Sequence, residues 1–302
     1  EIWIGQSGGG VARLSMMNNF LELFRPSKRE QNHLQDPMVL GMMDAGKDQY
    51  YFGTLYGGLL FYDRNSGQYK YYKDDRLPVE SKNIYGMTQV GKMIWMATWA
   101  GLCSFDTETK SLSYYPDEVY GIGTELYAIV KLAHGDKLLL SGTKGMIQFD
   151  LQTKKWTKCN DISNVLQKNI LVARYMQEKE DGDIYISGME DNFFIYNYLK
   201  GTFQFFPHLQ KYGSSRCFYE EKDRLWIASD NGLIQTCKPN FNIEKVWTTN
   251  HGLANDFIYA VAEDANNNLY VSTNSGLSLI HEKTGLVSNF TKENGLQDVE
   301  FN

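Results

Sequence analysis

The chain repeats one strand-like phrase seven times, and this repeat constrains the fold more than any other feature. Each copy has an aromatic residue or a leucine, a small residue two positions later, and then a Gly or Asn followed by a bulky apolar residue. The first column lies at positions 3, 51, 95, 139, 185, 226 and 270, so successive copies are 48, 44, 44, 46, 41 and 44 residues apart. Such spacings are typical of β-propeller blades and too long for ankyrin or tetratricopeptide units.

The small residue of each copy predicts close packing between neighbouring strands or blades. Trp95 and Ala97 are two positions apart, so in a strand their side chains point to the same face. A neighbouring backbone close to that face would exclude anything larger at the second position. This column consists of Gly5, Gly53, Ala97, Ser141, Ser187, Ala228 and Ser272.

In each unit one further strand precedes the repeated phrase and another follows it. Asp63, Asp106 and Asp150 each begin a turn, in which the carboxylate is expected to accept a hydrogen bond from the backbone two residues on. An aromatic-rich strand such as Tyr69–Tyr72 follows that turn, and an apolar strand such as Ile84–Val90 precedes the next phrase. The sequence therefore predicts an all-β fold: a seven-bladed β-propeller of four-stranded antiparallel blades.

The two ends of the chain are expected to share one blade. Residues 295–302 align with residues 252–259, which begin an innermost strand, whereas Glu1 aligns with Asn268, beyond that strand. We therefore expect one domain, 1–302, with the first blade closed by the C-terminus, which would remove exposed sheet edges. The incomplete closing strand predicts a piece of a longer polypeptide or a ragged first blade. The predicted blades are 1–25 plus 296–302, 38–73, 83–116, 125–158, 170–207, 215–248 and 257–291.

Charge and motifs give little indication of chemistry. The net charge of −6 argues against nucleic-acid binding, which favours a basic stripe. The four cysteines show no CxxC spacing and the five histidines no HExxH spacing, so neither a metal nor another cofactor is predicted. Paired acids such as Asp74 and Asp75 could serve glycoside hydrolysis, but most of them fall at predicted turns. No catalytic residue is therefore predicted.

The repeats resemble those of the regulator propellers in hybrid two-component sensors of glycan-degrading gut bacteria. The resemblance rests on phrases such as Tyr51-Phe52-Gly53-Thr54, Phe61-Tyr62-Asp63, Thr284-Gly285 and Gly252-Leu253-Ala254-Asn255-Asp256. It implies a periplasmic sensing fragment of an inner-membrane protein, often dimeric, that responds to oligosaccharides and relays the signal to attached kinase domains. It also implies that this fragment is not itself an enzyme. A propeller polysaccharide lyase and a protein-interaction scaffold remain alternatives, because fold does not fix function.

Ligand binding is expected at the end of the blades that carries the loops between their second and third strands. An aromatic face with hydrogen-bonding groups suits sugar rings, whose C–H faces stack while their hydroxyl groups need donors and acceptors. Tyr56 and Trp99 come from adjacent blades and could form a shared platform, although a Trp beside a Gly could equally pack over its own loop. The predicted ligand-binding residues are Tyr56, Trp99, Lys144, Glu190, Asp230 and Asn274.

Overall fold

The computed structural model describes residues 2–6, 10–15, 20–24, 38–117, 119, 124–159, 172–189, 193–281, 283–294 and 296. These residues form β-strands joined by turns and short 3-10 helices. The strands are β1 (Ile2–Gln6), β2 (Gly10–Ser15), β3 (Phe20–Phe24), β4 (Val39–Gly46), β5 (Gln49–Thr54), β6 (Leu59–Asp63), β7 (Gln68–Tyr72), β8 (Ile84–Val90), β9 (Met93–Thr98), β10 (Gly101–Asp106), β11 (Leu112–Tyr115), β12 (Leu126–Lys131), β13 (Lys137–Gly142), β14 (Gly145–Asp150), β15 (Trp156–Lys158), β16 (Ala173–Glu178), β17 (Asp183–Gly188), β18 (Phe193–Asn197), β19 (Thr202–Phe205), β20 (Ser215–Glu220), β21 (Arg224–Ser229), β22 (Gly232–Cys237), β23 (Asn242–Trp247), β24 (Ile258–Glu263), β25 (Leu269–Thr273), β26 (Gly276–Ile280) and β27 (Val287–Phe290). The 3-10 helices are Val79–Lys82, Glu180–Gly182, Pro207–Tyr212, Thr249–His251 and Lys292–Asn294.

The strands form a β-propeller of four-stranded antiparallel blades, but the prediction of seven such blades is wrong. Among the described residues there are six, formed by β4–β7, β8–β11, β12–β15, β16–β19, β20–β23 and β24–β27. The first repeat forms a three-stranded sheet, β1-β2-β3. The repeated phrase marks the second and third strands of a unit, so counting phrases does not count blades, which also need an innermost strand. That strand was expected from 296–302, of which 297–302 lie outside the described residues.

The small-residue column has the expected cause at Gly53. A Cβ atom there would lie 2.6 Å from the carbonyl oxygen of Ile84 in the innermost strand of the next blade. The prediction of a close neighbouring backbone is confirmed at this position. Trp95 and Ala97 lie in the same core cluster, and the ring of Trp95 lies 5.6 Å from that of Phe149 in the following blade. The repeated phrase therefore forms the interface between consecutive blades.

The Asp turns are also as predicted. Asp106 Oδ1 accepts hydrogen bonds from the backbone N–H of Glu108 at 2.8 Å and of Thr109 at 3.1 Å. These bonds favour the charged carboxylate and lower the pKa of Asp106. Asp150 makes the same pair of bonds to residues 152 and 153. The turns between third and fourth strands are thus fixed by local side-chain chemistry.

The loops between second and third strands are closed by a second local device. The hydroxyl of Thr98, the last residue of β9, donates to the carbonyl of Gly101 at 2.8 Å, and Ser229 does the same to Gly232 at 2.6 Å. Gly232 has a φ of 116°, and a Cβ there would lie 2.7 Å from the carbonyl oxygen of Trp247. Both the backbone angle and the space therefore require glycine at that turn.

The chain divides into two compact units. The central unit comprises Val39–Ile186 and Phe194–Gln204, and the terminal unit comprises Glu1–Met38, Ser187–Phe193 and Phe205–Asn302. Each has a core formed between consecutive blades. In the central unit Trp95, Leu138 and Phe149 belong to such a core, and in the terminal unit Trp226 and Val271 do.

Candidate functional site

The innermost strand of each of five blades has a β-bulge at its second residue. The pairing of β8 with β9, for example, passes from Ile84–Thr98 to Gly86–Ala97, so Tyr85 has no opposite partner. A bulge re-aims one side chain and is common beside functional sites. The bulged residues are Leu40, Tyr85, Tyr127, Arg216 and Tyr259. In the sixth four-stranded blade, Arg174 is the second residue of the innermost strand β16. The first residue of each of these strands is buried, whereas the second is at least partly exposed.

The loop between the second and third strands is attached beside this bulge. The backbone N–H of Trp99 donates to the carbonyl of Asn83, which precedes β8, at 3.2 Å. Asp230 makes the same bond to Ser214 at 3.0 Å, and Asn274 to Phe257 at 3.2 Å. Each of these blades therefore presents a loop side chain next to its bulge side chain.

In the central unit these side chains form a continuous aromatic patch, defined here as Tyr56, Tyr85, Trp99 and Tyr127. Trp99 stacks on Tyr85, with ring centroids 5.9 Å apart and planes at 24°. Tyr56 meets Trp99 edge to face at 6.5 Å, and Tyr127 meets Tyr85 edge to face at 5.1 Å. Three consecutive blades thus contribute to one patch, in which Tyr56 and Trp99 from adjacent blades are in contact.

The members of the patch differ in exposure. Tyr56, in the β5–β6 loop, is 56% exposed, whereas Tyr85, Trp99 and Tyr127 are half-buried. The indole Nε1 of Trp99 is buried without a hydrogen bond of normal geometry. Burial raises the pKa of Tyr85, and the neighbouring Trp99 side chain acts in the opposite direction with a smaller effect. Trp99 therefore packs over its neighbour and also forms the middle of the patch.

Charged groups border the patch on the side of Tyr127. The hydroxyl of Tyr127 donates to Glu125 Oε2 at 2.7 Å, and the guanidinium of Arg174 lies 6.0 Å from the Tyr127 ring. Burial, together with the Glu125 carboxylate, raises the pKa of Tyr127, so this phenol is a hydrogen-bond donor at neutral pH. Aromatic faces, a carboxylate and a guanidinium are therefore close together on the central unit.

Two further predicted ligand-binding residues are Lys144 and Glu190. Lys144 is exposed in the β13–β14 loop, whose Thr143 donates its backbone N–H to the backbone carbonyl of Glu125 at 3.0 Å. Glu190 lies outside the described residues.

The remaining two, Asp230 and Asn274, belong to the terminal unit and join a second group, called here the Arg216 cluster. Asp230 forms a salt bridge with Arg216, whose guanidinium lies 4.0 Å from the centroid of Phe257 and 5.2 Å from that of Tyr259. Asn274 Oδ1 accepts a hydrogen bond from the Tyr259 hydroxyl at 3.1 Å. The cluster consists of Arg216, Asp230, Phe257, Tyr259 and Asn274.

The bulged residues that complete both groups were not among the residues predicted from the sequence. The second position of the innermost strand is aromatic or Arg in five of the six four-stranded blades: Tyr85, Tyr127, Arg174, Arg216 and Tyr259. An aligned column of large side chains directly after a buried residue was the available signal. It was not recognised, because strict two-residue alternation does not allow for an inserted residue.

Asp74 and Asp75, one of the acid pairs considered for glycoside hydrolysis, are engaged in ion pairs at a turn. Asp74 binds Arg76 with Oδ2–Nη2 at 2.6 Å, and Asp75 binds Lys82 at 2.7 Å. These cations lower the pKa of both carboxyls, that of Asp74 to about 2. Both acids are therefore ionised carboxylates and lack the raised pKa of a general acid.

Three comparisons place the chain among known proteins. Residues 252–275 match the family model described as two component regulator propeller. Histidine kinase P4 of Formosa agariphila is 23% identical over 289 residues, which cover 87% of this chain and 20% of that protein. A crystal structure of the extracellular domain assigned to a hybrid two-component system of B. thetaiotaomicron superposes with a TM-score of 0.68 at 20% identity, covering 87% of this chain and 36% of that one.

A second similar structure illustrates how widely the fold is used. Inactive virginiamycin B lyase of Staphylococcus aureus, with quinupristin, has a TM-score of 0.70 at 11% identity and covers 88% of this chain and 87% of that one. At such identities the likeness concerns the fold alone. In the part of the chain that the structure describes, no helix is long and apolar enough to cross a membrane.

The chain spans about a fifth of the curated kinase and about a third of the bacterial extracellular domain. The resemblance expected from the repeated phrases is confirmed by the matched repeat at residues 252–275 and by these two relatives. Residues 252–275 therefore carry the two component regulator propeller repeat, and over most of its length the chain is similar to a histidine kinase and to the extracellular domain of a hybrid two-component system.

Proposed function

We propose that this chain is the ligand-sensing propeller of a two-component sensor and that it binds an oligosaccharide at the aromatic patch. The observation that supports this most directly is the run of stacked and edge-to-face rings from Tyr56 through Trp99 and Tyr85 to Tyr127. It lies at the loop ends of three consecutive blades. The proposed location is the periplasm, as the extracytoplasmic part of an inner-membrane protein.

The chemistry of the patch suits a sugar chain. The C–H faces of pyranose rings pack on aromatic faces, and Tyr56 is exposed enough to receive one. Around the rings, Glu125 offers carboxylate oxygens and Arg174 offers N–H donors to sugar hydroxyl groups. Because aromatic rings lie beside a carboxylate and a guanidinium, the patch can orient a sugar as well as stack on it.

Of the other predicted residues, Lys144 enters the proposal as a polar contact. Lys144 is exposed and positively charged on the β13–β14 loop of the central unit. In the terminal unit Asp230 and Asn274 lie in the Arg216 cluster, and their part in binding remains a prediction from the sequence. Glu190 remains a prediction from the sequence.

Signalling requires a further property of the assembly. A ligand shifts a conformational equilibrium only when it binds one state more tightly than the other. In the proposed function the partners are the neighbouring domains of the parent sensor and a second copy in a homodimer, and the bound oligosaccharide favours one of their arrangements. The fragment itself acts by binding and is not an enzyme.

Calorimetry of the intact extracellular region against an oligosaccharide panel tests the proposal. The panel contains neutral gluco-, xylo-, manno- and galacto-oligosaccharides together with uronic-acid oligomers. The expected result is saturable binding of one class, lost in a Trp99→Ala variant that stays folded. Absence of binding to every member would overturn the proposal. New ultraviolet absorbance with a uronic-acid polymer would instead support the lyase alternative.

A further inference from the structure

Asn83 connects the two loops that carry Tyr56 and Trp99 of the aromatic patch. It precedes β8 and is 3% exposed. Its side-chain Oδ1 accepts the backbone N–H of Tyr56, in the β5–β6 loop of the preceding blade, at 2.7 Å. Its backbone carbonyl accepts the N–H of Trp99, in the β9–β10 loop of its own blade, at 3.2 Å. One buried residue therefore holds the backbones of both ring-bearing loops.

The Tyr56 loop needs such a partner because its conformation is unfavourable. Tyr56 has a φ of 65°, in the left-handed region that residues other than glycine rarely adopt. The loop is also held by Gly58, whose N–H donates to the carbonyl of Lys82 at 3.0 Å. Of these two bonds to the segment before β8, the one to Asn83 acts directly on the strained residue.

The same arrangement occurs independently in the terminal unit. Ser214 precedes β20, and its hydroxyl donates to the carbonyl of Met189 in the β17–β18 loop. Its backbone carbonyl accepts the N–H of Asp230. Gly232 donates to the carbonyl of Asp256 at 2.7 Å, as Gly58 does to Lys82. The residue before an innermost strand thus repeatedly ties the loop of the preceding blade to that of its own.

We propose that Asn83 is a positioning residue of the oligosaccharide site, fixing Tyr56 relative to Trp99 so that the two rings present one surface. The proposal rests on the proposed function for its ligand but makes a separate statement about the loops. Without the side-chain acceptor, Tyr56 leaves its left-handed conformation and the edge-to-face contact with Trp99 is lost. A ligand then has to order the loop on binding, which weakens affinity.

Hydrogen exchange of individual backbone amides in the full chain tests the statement about the loops. Asn83→Ala is expected to raise the exchange rate of the Tyr56 amide roughly tenfold, the effect of removing one hydrogen bond of ordinary strength. Asn83→Asp keeps an oxygen acceptor and should restore protection. Asn197→Ala is the matched control: Asn197 is 5% exposed and hydrogen-bonded in a turn at the other end of its blade. The proposal would be overturned if the exchange rate of the Tyr56 amide stayed unchanged in Asn83→Ala, or if it rose equally in Asn197→Ala.

Binding of whichever panel oligosaccharide the wild type recognises completes the test. Asn83→Ala should weaken the affinity of the protein for that oligosaccharide roughly tenfold. Asn83→Asp should weaken it much less, and Asn197→Ala should leave it unchanged. In a Tyr56→Ala background the Asn83→Ala effect should largely disappear, because the two residues act as one unit. If Asn83→Ala weakens affinity as much in the Tyr56→Ala background as in the wild type, the positioning role is contradicted. If no oligosaccharide binds, the proposed function fails, while the exchange rates still decide whether Asn83 holds the loop.

Discussion

The aromatic patch of the central unit and the Arg216 cluster of the terminal unit use the same backbone device with opposite chemistry. Both place a bulged residue of an innermost strand beside the first residue of a loop. In the central unit that pair is Tyr85 with Trp99, held by ring stacking. In the terminal unit it is Arg216 with Asp230, held by a salt bridge.

The difference teaches how one repeat can serve two purposes. Stacked rings with an exposed Tyr56 leave apolar faces free for a ligand, whereas the Arg216 guanidinium already has an anion and two rings around it. We therefore expect changes in the patch to act mainly on binding and changes in the cluster mainly on stability. The following variants test that division.

Replacing Trp99 by Ala should have the largest effect. It removes the ring that contacts both Tyr56 and Tyr85, so affinity for the recognised oligosaccharide should fall by about 2 kcal/mol or more, as for central aromatic residues of binding sites. Titration calorimetry measures this loss. Trp99→Phe keeps a ring and should retain part of the affinity, and Arg216→Ala should leave it much closer to that of the wild type. Equal losses of affinity in all three variants would contradict the assignment of binding to the patch and stability to the cluster.

Replacing Arg216 by Ala should mainly destabilise the fold. The side chains of Arg216 and Asp230 are 18% and 27% exposed, so removal of the cation leaves a partly buried carboxylate without its partner. A loss of about 2 kcal/mol in the free energy of unfolding is expected. Chemical denaturation measures it, and Arg216→Lys, which keeps the charge without the planar group, should lose less. An unchanged denaturation midpoint would show that the cluster does not stabilise the unit.

Alkaline pH offers a milder comparison through two tyrosines hydrogen-bonded to glutamates. Burial and Glu263 raise the pKa of Tyr219, in the terminal unit, to about 12, and burial and Glu125 raise that of Tyr127. A raised pKa in the folded state means that stability is constant below the ordinary value of 10 and falls as pH rises toward 12. Melting temperatures across this range should show the fall.

The corresponding phenylalanine variants identify the groups responsible. Tyr219→Phe and Tyr127→Phe should each flatten the alkaline fall, at a cost of about 1 kcal/mol near neutral pH for the lost hydrogen bond. A wild-type melting temperature that is independent of pH between about 9 and 12 would contradict the raised pKa values.

Replacing Tyr56 by Ala should give the smallest change in stability. The side chain is largely exposed, so the free energy of unfolding should change by less than about 0.5 kcal/mol. Affinity should nevertheless fall by about 1 kcal/mol, because a stacking surface is lost. Thermal unfolding and calorimetry on the same sample separate the two quantities. A large drop in melting temperature would assign Tyr56 to the fold instead of to the ligand.

Local features of the fold were predictable because they are encoded within a few residues. The Asp106 turn follows from a carboxylate that reaches the amides of Glu108 and Thr109. The need for a small residue at Gly53 follows from its place in the repeated phrase, and the carbonyl of Ile84 supplies the reason. The proximity of Tyr56 and Trp99 was also predictable, since both lie in second-to-third-strand loops of consecutive blades.

The blade count and the completed site were not predictable in the same way. Seven phrases give six four-stranded blades and one three-stranded sheet among the described residues, because an innermost strand must come from outside the phrase. Tyr85, Tyr127 and Arg216 were missed because an inserted residue breaks the alternation on which strand faces are assigned. The role of Asn83 depends on a contact with Tyr56, 27 residues away in sequence.

By itself the sequence determined the blade type, the turn chemistry and the family resemblance, because each depends on residues a few positions apart that recur at a fixed period. The tertiary structure decided which side chains meet at the ends of the blades. These side-chain contacts depend on the direction in which each bulge points its residue and on how closely consecutive blades approach. Both are set by backbone packing between strands far apart in the chain. Backbone packing brings the same two positions of the repeat together in both units, and the residues at those positions give stacked rings in one unit and a salt-bridged arginine in the other.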